Sequence, residues 1–288
     1  MYLIRKGGTG VNLNLLESLF YGLVSGLSEI LPVSGPAHRN LMLQLLGESG
    51  EQGLLRLMIH IGILAALYYS CQNHILRMIR AQKLARVPKR KRRRPLDVRS
   101  LMDLSLLKTM AIPVILALLV YSRASTLVSK RILMSILLFI NGIILYVPQF
   151  LPGSNRDSRT LSRVEGICMG LGGALSVIPG FSATGMIASV GSVCGVDKAY
   201  GLSMTLLLNM VLIAGQIVYD FFAIVSAGLA GVTFLAILGY IVAGFAAFAG
   251  AYVSIRLLRA LLKDRSLGVF AFYCWGLSLL TFILYLST

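Results

Sequence analysis

The sequence predicts an all-α integral membrane protein, and three observations lead to this fold class. Hydrophobic residues make up 57% of the 288 residues, charged residues only 13%, and the mean hydropathy is +0.80. A soluble domain is nearer half apolar and a quarter charged. The second observation is a series of long apolar stretches. The third is a pair of short segments that interrupt them.

The apolar stretches approach or exceed the ~20 residues with which an α-helix crosses a bilayer. We expect about six transmembrane helices from them. In chain order the stretches cover residues 57–71, 106–121, 132–150, 200–225, 231–258 and 270–286.

The two interrupting segments are Glu29–His38, with the sequence EILPVSGPAH, and Ser176–Thr184, with the sequence SVIPGFSAT. Each places a proline, small residues and a hydroxyl group in otherwise apolar sequence. Backbone that is broken at membrane depth is tolerated only where it is buried in protein or lines a polar cavity. A matching pair of such segments in the two halves of a membrane protein therefore predicts its binding site.

The chain divides into two similar halves of one membrane domain that covers residues 1–288. We place the halves at about 11–151 and 164–288. Leu27–Ser34 reads LSEILPVS and Leu175–Ser182 reads LSVIPGFS, so the leucine, both serines and, with an offset of one residue, the proline correspond. This weak similarity is typical of an inverted repeat.

The positive charge indicates the topology. The net charge is +16, and much of it lies in the run 83–94 within a basic loop at 76–100. Basic loops stay cytoplasmic and attract anionic lipid headgroups, which favours a topology signal over nucleic-acid binding. A second basic loop with Arg156, Arg159 and Arg163 follows after two more spans, so it lies on the same side. We expect both interrupted segments to open toward the opposite face.

Glu29 and His38 are the first candidates for chemistry. An ionisable group in the membrane is costly and is a functional candidate by default, although a glutamate near the interface is the alternative for Glu29. A histidine can act as a nucleophile toward phosphorus or as a general acid or base, whereas a structural hydrogen-bonding role is the alternative for His38. We expect His60, in the middle of a span, to satisfy a neighbouring polar group.

Hydroxyl groups and free backbone N–H groups form the second set of candidates. Ser182 and Thr184 follow Pro179 and Gly180, and Ser34 and Arg39 flank His38 in the first segment. Helix N-termini and exposed backbone N–H groups beside such breaks favour phosphate.

At these residues the chain resembles the undecaprenyl pyrophosphate phosphatase family. The family's first re-entrant segment reads E-G-x-x-E-x-L-P-x-S-S-x-G-H, and this chain has SGLSEILPVSGPAH at Ser25–His38. The second segment of the family reads P-G-x-S-R-S-G-x-T, and this chain has PGFSATGMI at Pro179–Ile187. Weaker matches are IHIGILA at 59–65 to I-Q-x-G-x-x-A, SMTLLLN at 203–209 to S-F-L-L-A-x-P, and FAFY at 270–273 to F-x-x-Y.

The resemblance implies a fold and an activity. The fold is an inverted repeat with about six transmembrane helices and two re-entrant helix pairs that meet in a cavity on the extracytoplasmic side of a bacterial plasma membrane. The activity is hydrolysis of undecaprenyl pyrophosphate to undecaprenyl phosphate, which recycles the cell-wall lipid carrier. A divalent cation, Mg²⁺ or Ca²⁺, helps this family, and Glu29 is the residue that would bind it here. The resemblance also allows a homodimer.

Several residues depart from the family pattern. Ser25 replaces the first glutamate and Ala183 replaces the arginine of the second segment, while Gly35 and Ile187 replace a serine and a threonine. Because arginine provides the fixed fork that neutralises a phosphoryl group, its loss bears on catalysis. Arg39 is the candidate for the missing positive charge.

Three hypotheses follow. The first is a divergent polyprenyl pyrophosphate phosphatase in which His38 acts as nucleophile or general acid/base, Glu29 positions it or binds metal, and Ser182 and Thr184 bind phosphate. The second is a non-catalytic protein that binds or flips a polyprenyl phosphate in the same cavity, which the losses at Ser25 and Ala183 favour. The third is a small-molecule exporter. Retention of Glu29 and His38 together favours the enzyme.

Overall fold

The computed structural model describes residues 13–48, 50–121, 131–152, 155–228, 232–264 and 267–286. Within these ranges the chain forms ten α-helices, which we number in chain order. They are α1 Leu15–Ile30, α2 Gly35–Leu45, α3 Gly53–Ala85, α4 Val98–Leu118, α5 Arg131–Tyr146, α6 Arg163–Leu175, α7 Ala183–Val193, α8 Lys198–Ala227, α9 Phe234–Asp264 and α10 Gly268–Leu286. Five residues at the limits of the predicted halves and of one predicted span lie outside the described ranges. They are residues 11, 12, 231, 287 and 288.

The six expected transmembrane helices are confirmed. Six described segments are long and apolar enough to cross a membrane: α3, α4, α8, α9, α10, and Ile132–Phe150, which is α5 with the 3-10 helix that follows it. The basic loop is shorter than the predicted 76–100, because α3 continues to Ala85 and α4 begins at Val98. Lysine and arginine are good helix formers, and Met78 and Ala81 are buried, so the charged residues at this end of α3 stay helical.

The two interrupted segments are breaks between short helices. The backbone leaves the α1 conformation at Leu31, before Pro32, and α2 begins after Ser34. A residue before proline is disfavoured in the α conformation, which explains where α1 ends. The second break separates α6 from α7 and ends at Ser182, which caps α7.

The helices before the two breaks also begin alike. Asn14 and Glu17 form a capping box at the start of α1, and Ser162 and Glu165 form one at the start of α6. In a capping box each side chain accepts a hydrogen bond from the other residue's backbone N–H. The two boxes lie 148 residues apart, as do Leu27 and Leu175, so the repeat extends to both helix starts.

The two short helix pairs enter the protein from opposite faces. The backbone N–H of Asp197, just after α7, donates to Arg156 O, before α6 (3.0 Å), and Asp157 pairs with Arg99 beside the basic loop (3.5 Å). The pair α6–α7 therefore begins and ends at the face of the basic loops. The pair α1–α2 leads into α3, which is 33 residues long, or about 50 Å, and runs from the other face to the basic loop.

Each short pair packs on a long helix of the other half. A Cβ atom added at Gly22 or Gly26 of α1 would lie 2.1 Å from a backbone oxygen of α9, and one added at Gly170 of α6 would lie 2.3 Å from Met110 O of α4. Small residues allow such close helix contacts in membranes. Helix α6 occupies in the second half the place of α1 in the first, and α4 corresponds to α9. The contacts α1–α9 and α6–α4 are therefore equivalent. This exchange of helices between the halves gives the inverted arrangement and brings both breaks to the centre of the protein.

Candidate active site

The two breaks touch each other. Ser182 Oγ donates a hydrogen bond to the carbonyl oxygen of Leu31 (3.3 Å). Asn141 of α5 is fully buried, and its Oδ1 accepts a hydrogen bond from the Ser182 backbone N–H (3.0 Å). Its Nδ2 donates to Cys274 Sγ (3.4 Å), which in turn lies 3.6 Å from Pro32 O. One amide side chain therefore connects both breaks.

Two helix N-termini lie at this contact. Ser34 is the N-cap residue of α2, and it has a φ of 70° and a buried Oγ without a hydrogen-bond partner. Ser182 is the N-cap residue of α7, and its Oγ accepts a hydrogen bond from the Gly185 backbone N–H (3.2 Å). Each helix N-terminus carries a partial positive charge of about half an elementary charge and free N–H groups, which suit an anion.

Gly180 shapes the second break. Its φ of 112° is a conformation that residues with a side chain rarely adopt, and a Cβ there would lie 2.5 Å from Leu137 Cβ. The backbone of the break therefore packs directly against α5.

Glu29 and Arg39 form a buried ion pair. The Arg39 guanidinium lies 2.5 Å from Glu29 Oε2, and the two side chains are 5% and 8% exposed. Arg39 Nε also faces Glu51 Oε1 at 3.5 Å, and Tyr21 donates its hydroxyl hydrogen to that same oxygen (2.7 Å). Arg39 is thus balanced by two carboxylates and does not stand as a free positive charge.

His38 makes two hydrogen bonds that define the tautomer of its neutral ring. Its Nδ1 lies 2.8 Å from Ser34 O, and its Nε2 lies 2.7 Å from the Tyr273 hydroxyl, with the two rings stacked. A carbonyl oxygen only accepts, so a neutral His38 carries its hydrogen on Nδ1 and presents the Nε2 lone pair to Tyr273. Neither ring nitrogen of His38 is bonded to Glu29, because both are engaged elsewhere and Glu29 pairs with Arg39.

Thr184 lies deeper, between α7 and α8. Its Oγ1 accepts a hydrogen bond from Asn209 Nδ2 (2.7 Å), while Asn209 Oδ1 is buried without a partner. Glu29, Ala183 and Asn209 line one narrow gap that has no room for a water molecule. Ala183 and Glu29 therefore line the same gap.

The structure thus brings the predicted residues of both segments to one place, and it adds four that sequence reasoning did not assign to the site. They are Glu51, Asn141, Asn209 and Tyr273. Asn141 is an isolated amide in an apolar span, and that signal was available in the sequence. Among the described residues no group of three or more histidine, cysteine, aspartate or glutamate side chains is placed to hold a metal ion.

Comparison with known proteins gives a consistent result. The family model described as "Bacitracin resistance protein BacA" matches residues 18–280. An undecaprenyl-diphosphatase of Methanobrevibacter smithii is 28% identical over 94% of this chain and 98% of that protein. Undecaprenyl-diphosphatases of Halothermothrix orenii and Methanosphaera stadtmanae are 26% and 27% identical, also over 94% of this chain and 98% of each relative. The chain therefore belongs to the bacitracin resistance protein BacA family.

Proposed function

We propose that this protein hydrolyses undecaprenyl pyrophosphate to undecaprenyl phosphate and inorganic phosphate. The observation that carries the proposal is the contact of two helix N-termini at the centre of the protein, with His38 on the first turn of one of them. The family and the names of the similar proteins support the same reaction.

The pyrophosphate group binds between the two breaks. The N-terminal N–H groups of α2 and α7 and the unpartnered Ser34 Oγ are the donors that face it. Tyr273 on α10 is 51% exposed, so the His38–Tyr273 pair lies where a headgroup can enter from the bilayer. The polyprenyl chain stays in lipid while its phosphates reach the breaks.

His38 Nε2 is the reacting atom. When the substrate displaces the Tyr273 hydroxyl, the lone pair on Nε2 either attacks the terminal phosphorus or takes a proton from an attacking water molecule. The bond between that phosphorus and the bridging oxygen breaks, and the bridging oxygen stays on the lipid monophosphate. The hydrogen bond from Nδ1 to Ser34 O holds the ring in this tautomer and stabilises the imidazolium that forms.

A divalent cation fits this site only when it is shared with the substrate. Mg²⁺ is held by one or two carboxylates together with phosphate oxygens, and Glu29 and Glu51, on either side of Arg39, are the carboxylates available. The cation would neutralise charge on the pyrophosphate, which the paired Arg39 does not do by itself. We expect a chelator to lower phosphate release and added Mg²⁺ to restore it.

The basic loops support one orientation in the membrane. We place both of them in the cytoplasm of a bacterial cell, so that the site opens on the extracytoplasmic side. Thiol labelling of single cysteines introduced into the loop 86–97, in intact and in opened cells, tests this orientation.

The decisive experiment is phosphate release from undecaprenyl or farnesyl pyrophosphate by the purified protein, with His38→Ala as the matched control. We expect release by the wild type and a loss of about 10²-fold or more in the variant, as for removal of a general base or nucleophile. Wild-type release no higher than that of His38→Ala would refute the proposed activity. Retained binding of the lipid in that case would indicate a non-catalytic carrier-lipid protein.

A further inference from the structure

The ion pair of Glu29 and Arg39 lies at the first turn of α2, where the proposed site begins. The Arg39 guanidinium lies 2.5 Å from Glu29 Oε2. A Cβ atom added at Gly35, the first residue of α2, would lie 2.0 Å from that same oxygen and 2.8 Å from Glu29 Cδ. The motif that the chain resembles has a serine at this position, and glycine leaves the space that the carboxylate fills. Glu29 therefore lies directly against the start of the helix.

The start of α2 has the donors of an anion-binding site. Its first-turn N–H groups without a partner inside the helix belong to Gly35 and Ala37, because Pro36 has no N–H. The N-cap residue Ser34 adds a completely buried hydroxyl group that has no hydrogen-bond partner. Carboxylates and phosphates bind to helix N-termini in the same way. Glu29 therefore occupies the position of an anionic ligand.

Arg39 keeps a donor for a further partner. Its Nε is buried and has no hydrogen-bond partner, and the side chain is only 5% exposed. Glu51 Oε1 faces this nitrogen at 3.5 Å but accepts its hydrogen bond from the Tyr21 hydroxyl group (2.7 Å). A buried donor without a partner is destabilising, and a phosphate group can bind the guanidinium fork through two oxygens at once. The free donor thus fits a phosphate better than the carboxylate that is bound now.

The ion pair of Arg56 and Asp220 has a different set of contacts. Nε and Nη2 of Arg56 both lie 2.7 Å from Asp220 Oδ1, and His60 Nδ1 lies 2.9 Å from Asp220 Oδ2. The expectation that His60 satisfies a neighbouring polar group is confirmed by this contact. Both carboxylate oxygens are bonded, and Arg56 Nε has the partner that Arg39 Nε lacks. The contacts of this second pair are those of a structural ion pair.

We propose that Glu29 is an internal competitor of the substrate, which occupies the subsite where Arg39 and the first turn of α2 bind a phosphate group of the pyrophosphate. This inference rests on the proposed function. A phosphate carries more charge and more acceptor oxygens than a carboxylate, so it displaces Glu29 from the guanidinium fork, while Glu51 stays beside Arg39. The displaced carboxylate is then free for a divalent cation shared with the phosphate. Without such a cation Glu29 has no new partner, so it competes most strongly.

The test is binding of methylenediphosphonate, a pyrophosphate analogue that cannot be hydrolysed, to the purified full-length protein. Isothermal titration calorimetry in detergent with EDTA gives the Kd without turnover and without a metal ion. In Glu29→Gln the competitor has lost its charge, so we expect a Kd about tenfold smaller than that of the wild type. Arg39 still pairs with Glu51 in this variant, so we expect it to fold. Glu29→Asp keeps the charge on a shorter side chain and should give a smaller gain in the same direction.

Glu51→Gln is the matched control. It removes the same charge beside the same guanidinium group, but on the side of Arg39 Nε rather than at the pair with Nη1. We expect the Kd of this variant to change by less than about threefold. Arg39→Lys in the Glu29→Gln background keeps the positive charge and loses the planar fork, so it should cancel the gain in affinity.

The outcomes separate this inference from the proposed hydrolysis. Equal gains in Glu29→Gln and Glu51→Gln would indicate a general effect of negative charge and would overturn the competition. An unchanged Kd in Glu29→Gln, or no binding by any variant, would overturn it as well, even if the wild type released phosphate from undecaprenyl pyrophosphate. A gain confined to the Glu29 variants in a protein without hydrolytic activity would support the subsite and refute the hydrolysis.

Discussion

Replacement of Gly26 by alanine tests how closely α1 must approach α9. Gly26 lies three residues before Glu29, and a Cβ at this position would be 2.1 Å from Ala247 O. The two backbones must separate by about 0.9 Å to reach 3.0 Å, below which Cβ atoms are essentially never found. Neither backbone can give way by a change of side-chain rotamer. We therefore expect the cost of an overpacked core, about 1–3 kcal/mol.

The expected change in melting temperature follows from chain length. For a protein of this size about 1 kcal/mol corresponds to roughly 2 °C, so Gly26→Ala should melt about 2–6 °C below the wild type. Thermal unfolding in detergent, followed by far-ultraviolet circular dichroism, measures the shift. Because the next turn of α1 carries Glu29, phosphate release should also fall at temperatures where the variant is still folded.

Gly276→Ala in α10 is the control for helix propensity. A Cβ at Gly276 meets nothing within 4 Å, and alanine is favoured over glycine in a helix by about 0.8–1 kcal/mol. We expect this variant to melt at or slightly above the wild-type temperature. If Gly26→Ala behaved like Gly276→Ala, the close approach of α1 and α9 at Gly26 would be incorrect.

Three further predictions concern the ion pairs and the amide between the breaks. Arg39→Met leaves Glu29 buried without its cation, which should cost about 3–5 kcal/mol in unfolding experiments, and Glu29→Gln in the same chain should recover part of that loss. Asn141→Leu removes the acceptor for the Ser182 backbone N–H, so we expect a loss of about 1–3 kcal/mol and reduced phosphate release. The pKa of Glu165 is lowered to about 2, mainly by the hydrogen bond from the Arg156 guanidinium. Its stabilising contribution is therefore complete above about pH 4.5 and is lost as the pH falls toward 2, so the melting temperature of Glu165→Gln should depend less on pH in this range than that of the wild type.

Specific results would contradict each of these three. A double variant at 29 and 39 that is no more stable than Arg39→Met would show that the two charges do not compensate each other. Full phosphate release by Asn141→Leu would mean that the breaks keep their geometry without the shared amide. An unchanged pH dependence in Glu165→Gln would mean that another acid controls stability there.

The two breaks that form the candidate site could be predicted from the sequence because they depend on local chemistry. A proline before a helix start indicates a break in the helix, and a carboxylate in an apolar stretch indicates a functional candidate. Both indications hold in any fold. The capping box of α6 at Ser162 also matches the one of α1 at Asn14. This similarity lies in the sequence outside the two breaks. The number of spans followed from length and hydropathy in the same way.

The partners of the site residues could not be predicted because they come from distant parts of the chain. Arg39 was considered as a free positive charge, but Glu51 and Glu29 both reach it once α1, α2 and the start of α3 pack together. His38 meets Tyr273, which lies 235 residues later. Such contacts depend on which helices pack against each other. Hydropathy predicts where helices span the membrane but not how they pack.

The packing of each short helix pair on the other half has a consequence for biosynthesis. Helix α1 contacts α9 through Gly22 and Gly26, and α9 ends at Asp264, more than 200 residues after α1. At about 5–20 residues per second, a ribosome needs roughly 10–50 s to make that stretch. During this time α1 and α2, with Glu29 and Arg39 between them, are already in the translocon or the lipid without their final partner. Helix α1 therefore reaches its close contact with α9 only after most of the chain has been synthesised.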